Sequence, residues 1–218
     1  MYRYILEDTR HVLPFNEPAS KLVIGTSTLT FIHDEVFSAV FKGGVKLGDT
    51  FPEAGQMHNI REDEPAFVYR DSLWFDKEFV ETFVERAKAT GQACRAAIFT
   101  DPAERAFTNY TLPLSTSFEP VGADAKTGRP ISAVDMWYFP KGFTKDVAYI
   151  AIDSEAEPRG FYSVPDFMAQ DQVEELTHYL PKYALLSIES WVHIFYASVI
   201  FGVFTRGYRF EEQIKHHN

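Results

Sequence analysis

Across residues 65–99 the apolar positions change period twice. Behind Pro65, Phe67-Val68-Tyr69 is an unbroken run of β-formers. Phe79, Val80, Phe83, Val84 and Ala87 then recur at helical spacing and make one apolar stripe. Arg95-Ala96-Ala97-Ile98-Phe99 returns to strand texture. The pattern predicts a strand, a loop over residues 72–75, a helix over 76–91 and a second strand. Asp76 suits the helix N-cap, Phe75 is placed to staple onto Val80, Lys88 falls in the last turn, and Gly91 suits the left-handed residue that ends the helix. Strand, helix and strand at this spacing form a βαβ unit, which implies a parallel sheet with a right-handed crossover.

Residues 2–6 predict a first strand. Residues 10–22 predict a structured loop, because Pro14 and Pro18 bar a long helix. A short apolar segment follows at 22–25, and Phe31, Ile32, Val36, Phe37 and Val40 predict a helix over 29–41. Residues 43–65 are turn-rich, with Gly43-Gly44 read as a connecting loop and Glu62-Asp63-Glu64 as a solvated one. Residues 110–118, 131–139 and 147–152 read as strands between Pro and Gly turns. In the middle one Val134, Met136 and Tyr138 share one face, and Asp135 and Trp137 the other. This block reads as a β-rich subdomain laid against the sheet. Residues 166–179 read as a polar helix or a pair of turns. Residues 187–204 are apolar and aromatic, but only 16 residues separate Glu189 from Arg206, short for a spanning helix. A buried or partner-facing helix is predicted there, with an interfacial membrane helix as its competitor, and a polar end at 206–218.

The 218 residues suit one domain, or one domain with an appendage. Twenty Phe and 11 Tyr exceed what a core of this size needs, so part of the excess marks an apolar surface for a partner. The net charge of −10 and the lack of a basic run exclude a nucleic-acid footprint and argue against an anionic membrane face. A single cysteine, Cys94, excludes a disulfide framework and reads as a buried structural thiol. The first residues lack the long apolar region of a signal peptide, which predicts a cytoplasmic protein.

Asp71 is the leading candidate for chemistry. It falls where the first strand of the βαβ unit ends, and ligands of open α/β sheets bind outside the carboxyl ends of strands. Its competing role is to cap a turn with Ser72. No phosphate-binding loop, dinucleotide fingerprint, zinc cysteine set or serine-elbow motif occurs. His11, His33 and His58 have acidic neighbours but no helical metal spacing, and His216-His217 reads as exposed tail.

Phe67-Val68-Tyr69-Arg70-Asp71-Ser72-Leu73-Trp74-Phe75-Asp76, followed by a helix, Gly91 and the strand at 95–99, resembles the central segment of sugar-1-phosphate nucleotidyltransferases. In that family the strand ends in an aspartate that holds Mg²⁺. Residues 10–25 are similar to the family's opening signature: Arg10 precedes Pro14, and Lys21 follows Pro14 by seven residues before an apolar strand. Ser190-Trp191 is similar to its closing tryptophan segment. The family's Gly-rich turn is missing, with Glu7-Asp8-Thr9 in its place, Arg10 is one residue out of register, and Ser20 replaces the proline before Lys21. The segment from Gly25 to Asp71 is short for nucleotide recognition. Relatives with a similarly altered opening continue into a left-handed β-helix acyltransferase domain. No hexapeptide repeat occurs here, so such a domain is expected after Asn218 or not at all.

The resemblance implies an α/β, Rossmann-like nucleotidyltransferase fold: a mostly parallel sheet, a β-rich insertion, and a C-terminal apolar helix. Residues 1–186 would form the domain, with 187–218 packed on it. It also implies a nucleoside triphosphate and a sugar phosphate as substrates. A sugar phosphate oxygen would attack the α-phosphate and pyrophosphate would leave. Asp71 would hold Mg²⁺, Arg10 would meet the triphosphate, Lys21 a phosphate of either substrate, and Arg70 would join them in substrate binding. The missing glycines leave three expectations: an enzyme or lapsed enzyme of nucleotide-sugar metabolism, a non-catalytic domain docking a partner or itself through the aromatic tail, or a peripheral membrane module.

Overall fold

A computed structural model describes residues 1–42, 44–162 and 176–217. In chain order the strands are β1 (Tyr2–Leu6), β2 (His11–Val12), β3 (Glu17–Pro18), β4 (Val23–Ile24), β5 (Ser27–Thr28), β6 (Lys46–Phe51), β7 (Ala66–Arg70), β8 (Leu73–Phe75), β9 (Cys94–Phe99), β10 (Glu119–Ala123), β11 (Pro130–Phe139), β12 (Ala148–Ile152), β13 (Glu157–Tyr162), β14 (Leu176–Leu180) and β15 (Leu185–Ser187). The helices are α1 (Leu29–Val40), α2 (Lys77–Thr90), α3 (Trp191–Phe195) and α4 (Arg206–His217). A wide-turned π-helical stretch, Tyr196–Thr205, joins α3 to α4.

Among the described residues the largest sheet has seven strands in the order β12-β9-β11-β7-β1-β6, with β10 paired to the free half of β11. β1 runs parallel to β6 and to β7, and β12 runs parallel to β9. Only β11 runs against its neighbours, wedged between β7 and β9. The mixed α/β class with a mostly parallel central sheet is the one the sequence predicts, and the βαβ unit is there with α2 as its crossover. Its two strands are not neighbours, however, because β11 inserts between them.

Local chemistry explains why these elements form. Asp76 caps α2 by accepting the Phe79 N–H at 2.8 Å, and Gly91 ends it at φ +66°, a conformation a side chain would strain. The stripe Phe79, Val80, Phe83, Val84 and Ala87 is buried, as its spacing demands. On the same face of the sheet Phe37 of α1 meets Phe67 at 5.3 Å and Tyr69 at 5.0 Å. His33 is structural: burial lowers its pKa to about 4, it stacks on Phe75 at 4.8 Å, and its Nε2 lies 2.6 Å from the Leu73 carbonyl.

Several local expectations are corrected. Residues 73–75 are not loop but strand β8, paired antiparallel with β15 more than a hundred residues away, a partner that local pattern cannot reveal. Residues 46–51, read as turns, form edge strand β6, whose mostly exposed residues hide its period. Residues 131–139 and 147–152 are not an appended subdomain. They are β11 and β12 of the main sheet. Residues 110–118 are not a strand: Phe107–Thr111 is helical, and Thr111 donates from Oγ1 to the Leu185 carbonyl at 2.6 Å, a tertiary bond that overrides the β preference of Tyr and Thr. Of the predicted helix at 166–179, residues 166–175 lie outside the described residues, and Leu176 begins strand β14. Gly43 and the side chains of His216 and His217 also lie outside them.

The tail packs on the body. His193, Ala197, Ile200 and Phe201 are buried, with the Phe201 ring 5.7 Å from Trp74 and 5.8 Å from Tyr110. Among the described residues no helix is long and apolar enough to cross a membrane.

Candidate functional site

The ends of β1 and β7 define the site. These strands are parallel neighbours with Leu6 opposite Arg70, so the next residues of both leave the sheet at its carboxyl edge together. The Asp71 N–H donates to the Leu6 carbonyl at 3.0 Å, and the Asp8 N–H donates to Asp71 Oδ1 at 2.7 Å. Two buried carboxylates, Asp8 and Asp71, therefore stand side by side. Burial pushes Asp71 up to about 6. The Asp8 N–H and the Ser20 side chain oppose that rise, and the charges of Asp8 and Glu7 add to it.

Asp8 is held by Arg10. The guanidinium meets both Asp8 oxygens, from Nε at 2.9 and 3.1 Å and from one terminal nitrogen at 2.6 Å, while the Ser72 hydroxyl donates at 2.8 Å. Burial raises the Asp8 pKa, but the bonds from Arg10 and Ser72 outweigh it and hold the carboxyl below its ordinary value. On its other side Arg10 donates to Glu189 at 3.2 Å, Thr116 at 3.1 Å and Ser117 at 2.9 Å. A guanidinium has five N–H donors, and these partners engage all three of its nitrogens.

Glu189 is bound as tightly. It accepts from the Ser115 hydroxyl at 2.7 Å, the Thr116 hydroxyl at 2.6 Å, and the backbone N–H groups of Thr116 and Ser117 at 2.9 and 3.2 Å. Burial pushes its carboxyl up, yet these bonds win and leave it at about 2. Its own N–H donates to Nδ1 of His193 at 3.1 Å, which leaves Nε2 to donate to the Pro113 carbonyl at 2.8 Å. The tail thus reaches the carboxyl edge of the sheet through Glu189.

Of the four residues that the sequence singles out, Asp71 and Arg10 both come to this edge, each bonded to Asp8. Lys21 does not join them: it is exposed and makes no hydrogen bond or ion pair among the described residues, although Ser20 beside it reaches Asp71. Arg70 is tied into a ladder across the sheet. Its Nε donates to Asp135 at 2.6 Å, Asp135 also takes Arg95 at 2.9 Å, and Arg95 meets Glu119 at 2.9 Å. Asp8 and Glu189 are the residues that sequence reasoning missed. Asp8 had a signal, two residues before Arg10 where the family places glycines; Glu189 had none.

Both carboxylates that could face a Mg²⁺ ion are already engaged by the chain's own donors. Asp71 has one oxygen engaged by the Asp8 N–H, and both Asp8 oxygens face Arg10. Among the described residues no group of three or more His, Cys, Asp and Glu is placed to hold a metal. The hollow lined by Asp8, Arg10, His11, Ser72 and Glu189 is about 120 Å³, below the 300–1,000 Å³ usual for small-molecule sites. A wider hollow, about 580 Å³, lies elsewhere, between Leu180, Pro181 and α4.

No protein-family model matches the chain, and no curated protein does. Solved structures do. A UDP-glucose pyrophosphorylase from Acinetobacter baumannii is 10% identical over 100% of both chains, with a TM-score of 0.46. An apo UDP-glucose pyrophosphorylase is 11% identical over 91% of this chain and 97% of its own, at 0.45. A CMP:2-keto-3-deoxy-manno-octonic acid synthetase complexed with CTP is 10% identical over 71% and 92%, at 0.39. All three are sugar nucleotidyltransferases, the family whose motifs the sequence resembles. Likeness at these values says nothing of this chain's activity.

Proposed function

We propose that this chain is a sugar-nucleotidyltransferase-like domain that does not transfer nucleotides and acts as a protein-interaction module. The observation that carries the proposal is Arg10. The cation that would meet a triphosphate is bonded on one side to Asp8 and on the other to Glu189, Thr116 and Ser117. Nucleotidyl transfer depends on cations that stabilise charge developing on phosphate. Here three carboxylates, Asp8, Asp71 and Glu189, outnumber the single guanidinium, so a polyanion entering the edge meets net negative charge. No glycine loop offers backbone N–H groups in compensation, because Glu7-Asp8-Thr9 occupies that place. What remains for function is surface, and the exposed side of the aromatic tail supplies it.

The test is a pyrophosphate-release assay with Mg²⁺, the common nucleoside triphosphates and a panel of sugar 1-phosphates. No release above background is expected, and 1 mM EDTA is expected to leave the melting temperature unchanged. Mg²⁺-dependent release that Asp71→Asn abolishes contradicts the proposal.

A further inference from the structure

The helical tail carries a row of apolar side chains that stay exposed and that none of the described residues covers. Trp191, Phe195, Val203, Phe210 and Ile214 are between 48% and 63% exposed. Val199, half-buried, falls between Phe195 and Val203. The row steps by four residues through α3 and the π-helical stretch. The wide i→i+5 turn there keeps such steps near one face, and seven- and four-residue steps then continue it along α4.

The row has a centre. Trp191 and Ile214 stand twelve and eleven residues from Val203, and Phe195 and Phe210 eight and seven. On either side of Val203 the order is a small position, Val199 or Gly207, then Phe, then a large end residue. An isologous contact sets the same patch of two copies together, residue i against j and j against i, and apolar residues at matched distances from Val203 suit that pairing. A two-fold axis through Val203 would set two antiparallel helices together, Phe195 against Phe210 and Trp191 against Ile214. Gly207, exposed and with open space where a Cβ would stand, lets the backbones approach opposite Val199.

The area agrees. Five side chains about half exposed present roughly 500 Å² of apolar surface. Homodimer interfaces are about 65% apolar, so this corresponds to roughly 800 Å² per partner, the size of a standard specific interface. A membrane is the poorer occupant, because the chain's net charge is −10 and two of the three basic residues of α4 are held by the chain itself, Arg209 by Asp76 and Glu78 and Lys215 by Glu212. We infer that the row from Trp191 to Ile214 is the contact of a two-fold homodimer in which the C-terminal helices of two copies pair antiparallel. This deepens the interaction-module reading and rests on it.

Sedimentation velocity of the 218-residue chain over 1–100 µM tests it. A dimer of twice the 25.0 kDa chain mass is expected. Val203→Glu, which sets two carboxylates at the axis, is expected to weaken association at least tenfold with the melting temperature of the dilute monomer unchanged. Val203→Cys is expected to give a disulfide-linked dimer on mild oxidation where the wild type, with only buried Cys94, gives none. A monomer at 100 µM, a dimer indifferent to Val203→Glu, failure of Val203→Cys to cross-link, or a monomer that floats with phosphatidylcholine vesicles overturns the inference. Pyrophosphate release is read on the same samples: a dimer with turnover sinks the non-catalytic reading alone, and a monomer without turnover sinks the dimer alone.

Discussion

Asp71 carries a cost in the folded chain. Its pKa is about 6, above the ordinary carboxylate value, because it is buried beside Asp8. A carboxyl with a raised folded pKa gains stability as pH falls through that pKa and has gained all of it below the unfolded value. At pH 7.5 it is charged in both states and its burial works against folding. Asn matches the neutral acid in shape and still accepts the Asp8 N–H. Asp71→Asn is therefore expected to stabilise the protein at pH 7.5 by about 1–3 kcal/mol, since each pKa unit is worth about 1.4 kcal/mol. Urea unfolding at pH 7.5 checks this; a loss of stability contradicts it. Arg10→Ala has the opposite sign. It leaves Asp8 and Glu189 without their shared cation, and because the Arg10 side chain is half exposed the expected loss is about 1–2 kcal/mol.

At the scale of elements, the tail helix presents two faces with different duties. Phe201 fills the space between Trp74 and Tyr110 and is fully buried, so Phe201→Ala is expected to cost about 3–5 kcal/mol by urea unfolding. A chain ending at Leu186 loses that ring together with His193, Ile200 and the Glu189 carboxylate, and is expected to lose its cooperative thermal transition. A truncated chain that melts with the full one contradicts the packing described here. The sequence made elements legible where period and cap agreed: α2 lies between Asp76 and Gly91 as read, and β1, β7 and β9 fall where their apolar runs are. It failed where the partner is remote. β8 exists because β15 pairs with it, and Phe107–Thr111 is helical because Thr111 reaches Leu185.

For the molecule as a whole, buried acids on opposite sides of their ordinary values dominate the pH profile, against buried His33, whose pKa of about 4 takes stability away as pH falls below about 6.5. Asp71 and Asp76 are pushed up to about 6 and Glu104 is pushed up too, in each case chiefly by burial. Each adds stability as pH falls from 7 toward 4. Glu189 is held at about 2 and takes stability away as pH falls below about 4.5. The melting temperature is therefore expected to be higher at pH 5 than at pH 7.5 and to drop below pH 4; a steady fall from 7.5 to 4.5 contradicts this. The edge of the sheet was half legible for the same reason as the fold. Asp71 and Arg10 stand out by position and motif, but the meaning of Arg10 depends on Glu189, which lies 179 residues on and carries no signal of its own. The central proposal is that Arg10, although half exposed, is held by the protein's own acceptors and does not take up phosphate. Its most direct test is the Arg10 Nε–H resonance in a ¹H–¹⁵N spectrum, assigned with Arg10→Lys and followed while UTP and Mg²⁺ are added to 5 mM. The account predicts a slowly exchanging resonance that does not move; a saturable shift, absent in Asp71→Asn, contradicts it.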